Sequence, residues 1–416
     1  ETRSAAAQAA TVAQDCHARI NAGSTDYSGI QSAVDAAGAD DLVKVAGTCL
    51  GVIERAGLRQ QVYLDKGLTL RGGFTPTNWA APDPTANPTV LDALGGGRVL
   101  YVTGPISPTI EGLRITGGDA AGLAGVDWGW DAGGGVYVIS ATATISGNWI
   151  HNNTAGGEFT LGGGLFVWDG ASLVINNTVY SNTARYGGGV LALESPVALS
   201  HNAILSNTAL KGGGGVTVWG TRAGTLLGNL IRGNRAGWTG GGLSLGASGS
   251  AGINNVIVDN AAEASGSAIY FDGPAVLWHT TIARNTGGDG SGVYVAPGEG
   301  TISVGLTNTI LAEQGIGISV TAGNTVTVNG ILWHNTPITI SKDGDACVTV
   351  NNALSGNPLF GPDGYHLTVN SAAIDTGVVS GVADDIDGRP RPRGQGYDLG
   401  ADEFWWEFAY LPRVMR

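Results

Sequence analysis

Carboxylate and tryptophan side chains recur around short glycine runs in the middle of the chain. The carboxylates are Asp131, Glu158, Asp169 and Glu194. Two carboxyl groups about 5 to 9 Å apart can cleave a glycosidic bond, and neighbouring aromatic rings offer flat apolar surfaces that suit sugar rings. The tryptophans that are candidates for contact with a glycan or a partner are Trp128, Trp130, Trp168, Trp219 and Trp238.

The same pattern has a structural explanation. An acidic chain must place acids in its loops, and surface tryptophans also pack against neighbouring subunits. A lyase would need a basic residue beside cation-binding acids, and basic residues are few and scattered here. We therefore predict no catalytic residue in the main interpretation and keep the four carboxylates as an alternative catalytic set.

Patterns for metals and cofactors are weak. The histidines show neither HxH nor HExxH spacing, so no zinc site and no other metal site is predicted. The segments "DDIDG" (384–388) and "DGD" (343–345) offer oxygen ligands for calcium, but neither completes a twelve-residue calcium loop. Calcium is kept as an alternative to ion pairs of Asp385 and Asp387 with Arg389, Arg391 or Arg393. No other cofactor is predicted.

Composition excludes several classes of protein. The chain has 70 glycines in 416 residues, 43% hydrophobic residues and a net charge of −13. Without a basic stripe to neutralise phosphates, nucleic acid is not an expected partner. The sequence contains no run of 18 apolar residues, so no transmembrane segment is predicted. A chain that is acidic and poor in lysine is expected to be secreted, in an extracellular or cell-surface location.

The glycine runs define a repeat. "GGGVYV", "GGGLFV", "GGGVLA", "GGGVTV" and "GGGLSL" begin at residues 133, 162, 187, 213 and 240, and more degenerate copies follow them. Successive runs begin 25 to 29 residues apart. A repeat of this length is typical of a solenoid, in which each unit contacts its neighbours. Short runs of Val, Ile and Thr that alternate with polar residues indicate strands. The sequence therefore predicts an all-β parallel β-helix.

Asparagines recur about ten residues after each glycine run. The column consists of Asn148, Asn177, Asn202, Asn229 and Asn255. Stacked coils would place these side chains above one another, where their amides can form a hydrogen-bonded ladder. Such a ladder would support the glycine and asparagine corners, whose backbone freedom is otherwise costly to remove.

These glycine and asparagine units resemble the right-handed parallel β-helix repeat proteins of bacterial cell surfaces. The segments "NPLFGPDGYHLTVNSAAIDTG" and "DIDGRPRPRGQGYDLGADEF" are similar to the region that such proteins place before a surface anchor. The resemblance implies a right-handed coil, export, and a C-terminal anchor-like region. It does not imply one activity, because the family contains enzymes, adhesins and structural proteins.

The repeat and its flanks divide the chain into five parts. We predict an N-terminal tail (1–15), a cap with the first coils (16–110), central repeats (111–340), C-terminal coils with the anchor-like region (341–404), and an aromatic tail (405–416). Residues 29–39 have the spacing of an amphipathic helix that could cap the solenoid. Cys16 and Cys49 either form a disulfide or remain free thiols, and Cys347 is expected to be buried.

The main interpretation is a secreted, non-catalytic structural rod that assembles, as a filament for example, or adheres to cell-surface glycans. The tail residues expected to mediate assembly are Trp405, Trp406, Phe408, Tyr410 and Leu411. Outward columns such as Tyr137, Phe166 and Leu191 are expected to give the early coils an apolar exterior for a lateral partner. The alternative is a polysaccharide-active enzyme, either a glycoside hydrolase or a lyase, or a glycan-binding module.

Overall fold

The computed structural model describes residues 15–126 and 129–405. This part of the chain forms an all-β solenoid of parallel strands, which confirms the fold class predicted from the repeat. Within it are one helix, α1 (Ile30–Ala36), and 39 strands in three sheets. No helix among the described residues is long and apolar enough to cross a membrane.

Sheet A has 21 strands. They are β1 (Cys16–Ile20), β2 (Leu42–Leu50), β5 (Thr69–Phe74), β6 (Thr89–Asp92), β8 (Thr109–Glu111), β9 (Leu113–Thr116), β12 (Thr144–Ser146), β13 (Trp149–His151), β16 (Leu173–Ile175), β17 (Thr178–Tyr180), β20 (Ala198–Ser200), β21 (Ala203–Leu205), β24 (Thr225–Leu227), β25 (Leu230–Arg232), β28 (Ser250–Ile253), β29 (Val256–Val258), β32 (Ala275–Trp278), β33 (Thr281–Ala283), β35 (Ser303–Ala312), β37 (Thr325–His334) and β39 (Cys347–Ser355).

Sheet B has 12 strands and sheet C has 6. The strands of sheet B are β3 (Ile53–Arg55), β4 (Leu58–Leu64), β7 (Arg98–Thr103), β11 (Val136–Ile139), β15 (Leu165–Trp168), β19 (Val190–Leu193), β23 (Val216–Trp219), β27 (Leu243–Leu245), β31 (Ile269–Phe271), β34 (Ser291–Val295), β36 (Ile316–Val320) and β38 (Ile338–Lys342). The strands of sheet C are β10 (Asp131–Ala132), β14 (Thr160–Leu161), β18 (Thr183–Tyr186), β22 (Thr208–Gly212), β26 (Arg235–Ala236) and β30 (Ala261–Ala262).

A central coil passes through all three sheets in turn. It begins with β18 in sheet C, bends through three glycines into β19 of sheet B, and continues as β20 and β21 of sheet A. Each strand pairs in parallel with its equivalent one coil further along, as Val190 does with Val216. The inward side chains, such as Val136 and Val138, are fully buried in one core that runs through the coils.

A column of buried asparagines lies at the corner between the two strands that each central coil contributes to sheet A. Asn177 donates its backbone N–H and one Nδ2 hydrogen to Oδ1 of Asn202, both over 3.0 Å. The structure brings Asn148, Asn177, Asn202, Asn229 and Asn255 together in this way. The amides can be buried because they satisfy one another's donors and acceptors.

A second column continues the same arrangement at the next corner. It consists of Asn153, Asn182, Asn207, Asn234, Asn260 and Asn285, with 3.0 Å between successive amide groups. Two parallel ladders therefore fix the register of successive coils on both sides of one strand.

The glycine runs form the bend between sheet C and sheet B. Gly187 has a φ of 62°, a conformation that side-chain-bearing residues adopt only with strain. At Gly188, a Cβ atom would lie 2.4 Å from the carbonyl oxygen of Thr208 on the next coil. The Gly188 N–H is bonded to the carbonyl of Gly213 over 3.1 Å. Glycine is required here because neighbouring backbones touch, and their hydrogen bonds hold the flexible residues in place.

The outward face of sheet B differs from the sequence-based expectation. Tyr137 is 2% exposed, and Phe166 and Leu191 are fully buried. They pack with Ala132 and Leu161 of sheet C in a second, smaller core. The expectation of an apolar exterior at these residues is wrong, because the glycine bend folds the chain's own sheet C segments over them.

The N-terminal end departs from the parallel pattern. Strand β1 pairs antiparallel with β2, and Cys16 Sγ is bonded to Cys49 Sγ over 1.95 Å. Helix α1 lies within the segment where the sequence indicated one, and its buried residues Ile30 and Val34 pack into the main core.

The C-terminal region, residues 356–405, leaves the solenoid after β39 and folds back along the outer face of sheet A. Arg232 Nη1 donates to the carbonyl of Asp363 over 3.0 Å, and the Ala401 N–H donates to Thr281 Oγ1 over 2.9 Å. Leu367 and Leu399 of this region pack in a separate apolar cluster with residues of sheet A.

Cys347 is exposed, contrary to the sequence-based expectation of a buried residue. It lies in β39, where Val348 and Val350 pack against the core. Because side chains alternate along a strand, Cys347 points outward.

Candidate glycan-binding surface

Four aromatic residues form a continuous surface where sheets B and C meet. We call Trp130, Phe159, Tyr186 and Trp219 the aromatic strip. The ring centroids of Trp130 lie 5.2 Å from Phe159 and 6.4 Å from Tyr186. Tyr186 continues to Trp219, whose ring centroid is 4.7 Å away. The stacking of Trp130 on Phe159 follows from register, because Asp131 and Thr160, the residues after them, pair directly between adjacent coils.

Two cations lie over exposed rings beside this surface. The guanidinium of Arg185 is 4.8 Å from the ring centroid of Phe159, which is 43% exposed. Lys211 Nζ is 5.3 Å from the ring of Trp238, which is 52% exposed. A cation over the face of an aromatic ring adds modest stabilisation. Trp238 lies on a later coil, and among the described residues its ring does not stack on a ring of the strip.

Two of the four sequence-predicted carboxylates hold loops in place. Asp131 accepts hydrogen bonds from the N–H groups of Gly122 over 2.8 Å and Ala124 over 2.9 Å. Glu194 accepts from the N–H and the hydroxyl of Thr221 over 2.9 and 2.8 Å. These hydrogen bonds from Thr221 lower the pKa of Glu194. A carboxylate held ionised in this way is suited to positioning a loop and not to donating a proton.

The other two carboxylates are more accessible. Glu158 and Asp169 are both exposed. Glu158 precedes Phe159 of the aromatic strip, and its backbone carbonyl accepts a hydrogen bond from Arg185 Nη1 over 2.7 Å. Asp169 follows Trp168, which is half-buried and packs against the same apolar cluster as the strip. Acidic groups are therefore available at the margins of the aromatic strip.

Some of the remaining predicted contact residues lie outside the part of the chain that the structure describes. Trp128 lies outside the described residues, as do Trp406, Phe408, Tyr410 and Leu411 of the tail. Trp405 is described, and the Arg393 guanidinium lies 3.3 Å from its ring centroid. Of the tail residues expected to mediate assembly, only Trp405 lies within the described part of the chain.

The C-terminal region contributes polar groups that the sequence interpretation missed. Arg391 Nη1 and Glu403 Oε2 form a fully buried ion pair at 2.8 Å. Asp387 Oδ2 lies 3.3 Å from Arg389 Nη1, as expected, whereas Asp385 accepts the backbone N–H groups of Asp387 and Arg389. The repeated acids and arginines of this segment were the available signal, but they could not indicate which of them pair.

His366 is the second group that sequence reasoning missed. It lies between the carboxylates of Asp363 and Asp387, and Asp402 is close by. Burial alone would lower the pKa of His366. The hydrogen bond to Asp363 and the charges of the surrounding carboxylates have the larger effect, so the pKa of His366 is raised above its usual value. Burial raises the pKa of Asp402 to about 6. The only hint in the sequence was the "DGYH" turn, which places Asp363 three residues before His366.

A groove separates the C-terminal region from sheet A. Its volume is about 690 Å³, and its walls include His201, Trp278 and Asp384. Asn254 Nδ2 donates to the carbonyl of Asp384 over 2.6 Å and thereby connects the two walls. This groove forms only because the C-terminal region folds back, so no local sequence pattern indicates it.

No family model matches the chain, and no curated protein matches its sequence. Among solved structures, the chain is similar to the crystal structure of pectate lyase Pel9A, with a TM-score of 0.49 and 14% sequence identity over 89% of this chain and 90% of that chain. At this identity no residue role carries over from that protein.

The main functional prediction, a non-catalytic rod that assembles or adheres, is wrong in its structural premise. One physical reason for the error is that the apolar columns assigned to assembly are covered by sheet C.

Proposed function

We propose that this β-helix protein binds a polysaccharide along the aromatic strip. The observation that carries the proposal is the unbroken ring contact from Phe159 through Trp130 and Tyr186 to Trp219. The contact crosses successive coils, so the strip extends along the axis of the solenoid. An elongated ligand matches that direction better than a compact one.

The chemistry of the strip suits sugar rings. Aromatic rings are rigid apolar surfaces, and a pyranose presents C–H groups on its faces and hydroxyls at its edges. Glu158 and Asp169 are exposed acceptors near the rings, and Arg185 is a donor that already lies over Phe159. The surface therefore combines stacking platforms with groups that can hydrogen-bond hydroxyls.

Finer features of the proposal come from the family resemblance and the composition. They are the right-handed sense of the coil, the capping role of α1, and an extracellular location. The bonded Cys16 and Cys49 support the location, because disulfides persist in oxidising compartments.

Binding to a panel of soluble uncharged and anionic polysaccharides, measured by affinity electrophoresis and calorimetry, tests the proposal. Phe159→Ala and Trp130→Ala should each weaken binding about 10- to 30-fold, in the range of residues that dominate an interface. Trp79→Ala is the matched control, because Trp79 stacks on Phe74 at the N-terminal end, away from the strip. The affinity of the Trp79→Ala variant for the polysaccharide should equal that of the unmodified protein.

The same panel is assayed for reducing ends and unsaturated products. Cleavage that is lost in Glu158→Gln or Asp169→Asn would support the proposal and extend it to catalysis. Binding without cleavage supports a glycan-binding role. The proposal is refuted if no polysaccharide binds, or if Phe159→Ala and Trp130→Ala bind as tightly as the unmodified protein.

A further inference from the structure

His366, Asp387 and Asp402 converge from three separate turns of the C-terminal region. One nitrogen of His366 and one oxygen of each carboxylate all lie within 4.8 Å of one another. His366 Nε2 is 2.9 Å from Asp387 Oδ2. The three turns are far apart in the sequence, so the arrangement depends on how this region folds.

Asp363 fixes the orientation of the imidazole. Its Oδ2 is hydrogen-bonded to His366 Nδ1, and its Oδ1 accepts the backbone N–H groups of Tyr365 over 3.1 Å and of His366 over 3.2 Å. When Nδ1–H donates to a carboxylate, the neutral imidazole presents the lone pair of Nε2 on its other side. Metal-binding histidines almost always have this kind of partner on the nitrogen that does not bind the metal.

Asp402 supplies an independent indication of a ligand. Its side chain is only 3% exposed, and its Oδ2 accepts the N–H of Leu367 over 2.7 Å. Its Oδ1 is buried and accepts no hydrogen bond, and Arg389 Nη1 lies 3.9 Å from it. A buried carboxylate oxygen that accepts no hydrogen bond is costly, so a cation bound directly to Asp402 Oδ1 would stabilise it.

The cluster opens onto a cavity of about 480 Å³. His366 and Asp402 line this cavity together with Asp363 and Arg389. A cation bound between the three side chains could therefore complete its coordination with water from the cavity side.

We propose that His366 Nε2, Asp387 and Asp402 bind one divalent transition-metal cation of the zinc type. An imidazole nitrogen with two carboxylate oxygens is a ligand set that Zn²⁺ accepts, whereas Ca²⁺ requires six to eight oxygen ligands. The bound cation links the three turns of the C-terminal region and satisfies Asp402 Oδ1. Arg389 Nη1 lies 3.3 Å from Asp387 Oδ2 and 3.9 Å from Asp402 Oδ1, so the bound cation would take over part of its charge pairing with these carboxylates.

The alternative is an ion-pair cluster without metal, in which protonated His366 lies between Asp363 and Asp387. This ion-pair cluster would show the same contacts among His366, Asp363 and Asp387, but it would not bind Zn²⁺. The two interpretations therefore differ in a direct binding measurement.

The test uses the full chain after treatment with a chelator and dialysis. Calorimetry with Zn²⁺ alone and with Ca²⁺ alone should show one Zn²⁺ site per chain and at least about 100-fold weaker Ca²⁺ binding. Thermal unfolding should shift upward with Zn²⁺, as expected when a ligand binds the folded state. Substituting Co²⁺ should give an absorption spectrum that reports the ligand set.

Three variants keep the proposal testable. His366→Ala should abolish the site, and Asp363→Asn should weaken Zn²⁺ binding about 10- to 100-fold, the usual effect of removing a partner of a metal ligand. His334→Ala is the matched control, because His334 lies in β37 of sheet A, outside the C-terminal region, and should bind Zn²⁺ like the unmodified protein.

Asp402→Asn retains nearly the same shape and should lose Zn²⁺ affinity. Its circular dichroism spectrum, compared with that of the metal-free unmodified protein, reports whether it folds. If Asp402→Asn does not fold, His366→Ala and the Co²⁺ spectrum decide the question. Binding that persists unchanged in His366→Ala, or no Zn²⁺ binding to the unmodified protein, would overturn the proposal.

Discussion

Replacing Asn202 with alanine tests whether the asparagine ladder holds the coils together. Asn202 Oδ1 accepts the backbone N–H and one Nδ2 hydrogen of Asn177, both over 3.0 Å. Asn202 Nδ2 donates to the carbonyl of Val174 over 2.8 Å and to Oδ1 of Asn229 over 3.0 Å. Asn202 is 2% exposed, so water cannot replace these bonds without opening the corner.

The expected cost follows from the groups that the substitution leaves without a partner. Alanine orphans the buried backbone N–H of Asn177, whereas Asn177 Nδ2 keeps the carbonyls of Ile145 and Ile175 as acceptors. An unsatisfied buried group costs about 1–3 kcal/mol. We therefore expect Asn202→Ala to lower the free energy of unfolding by about 1–3 kcal/mol. The carbonyl of Val174 also loses a donor, but carbonyls tolerate partial satisfaction better than N–H groups.

Equilibrium unfolding in guanidinium measures the global effect, and hydrogen exchange of the Asn177 backbone N–H measures the local one. Asn351→Ala is the control, because Asn351 is exposed on β39, and surface substitutions usually change stability by less than about 0.5 kcal/mol. A loss below about 0.5 kcal/mol in Asn202→Ala, with unchanged exchange at Asn177, would refute the ladder as a source of stability.

Two further perturbations test the glycine bend and the docking of the C-terminal region. Gly188→Ala should destabilise the fold by about 2–3 kcal/mol, as overpacking does, whereas Gly300→Ala, with no atom within 4 Å of the new Cβ, should be neutral. Comparable melting temperatures for these two variants would contradict the steric argument. Burial, followed by the charge of Arg391, lowers the pKa of His279 to about 3. As the pH falls from about 6.5 towards 3, the unfolded chain binds a proton at His279 that the folded state does not, so the folded state loses stability. The melting-temperature difference between the unmodified protein and His279→Gln should therefore shrink between pH 7 and pH 4; a constant difference would exclude this linkage.

The repeat made the solenoid predictable, because its signals are local and recur. Glycine runs mark the bends, and alternating apolar residues such as Val136 and Val138 mark the strands. Stacking of equivalent residues then follows from the period alone, and it places Asn177 against Asn202 before any distance is known.

The candidate site was less predictable. The sequence indicated Trp130, Glu158 and Asp169 as neighbours on the early coils. It could not show that the carboxylates of Asp131 and Glu194 would accept hydrogen bonds from nearby loops. Whether a carboxylate is available depends on the loop beside it, and loop conformation is not encoded in the period.

The sequence by itself determined the fold class, the asparagine columns and the positions that need glycine, because each coil meets a copy of its own pattern. Only the tertiary structure decided which outward residues are covered and where the C-terminal region lies. It buried Tyr137 beneath sheet C and brought His366 to Asp387 and Asp402. These contacts join segments with no shared period, so they depend on the path of the chain and on the packing of side chains that differ at every position.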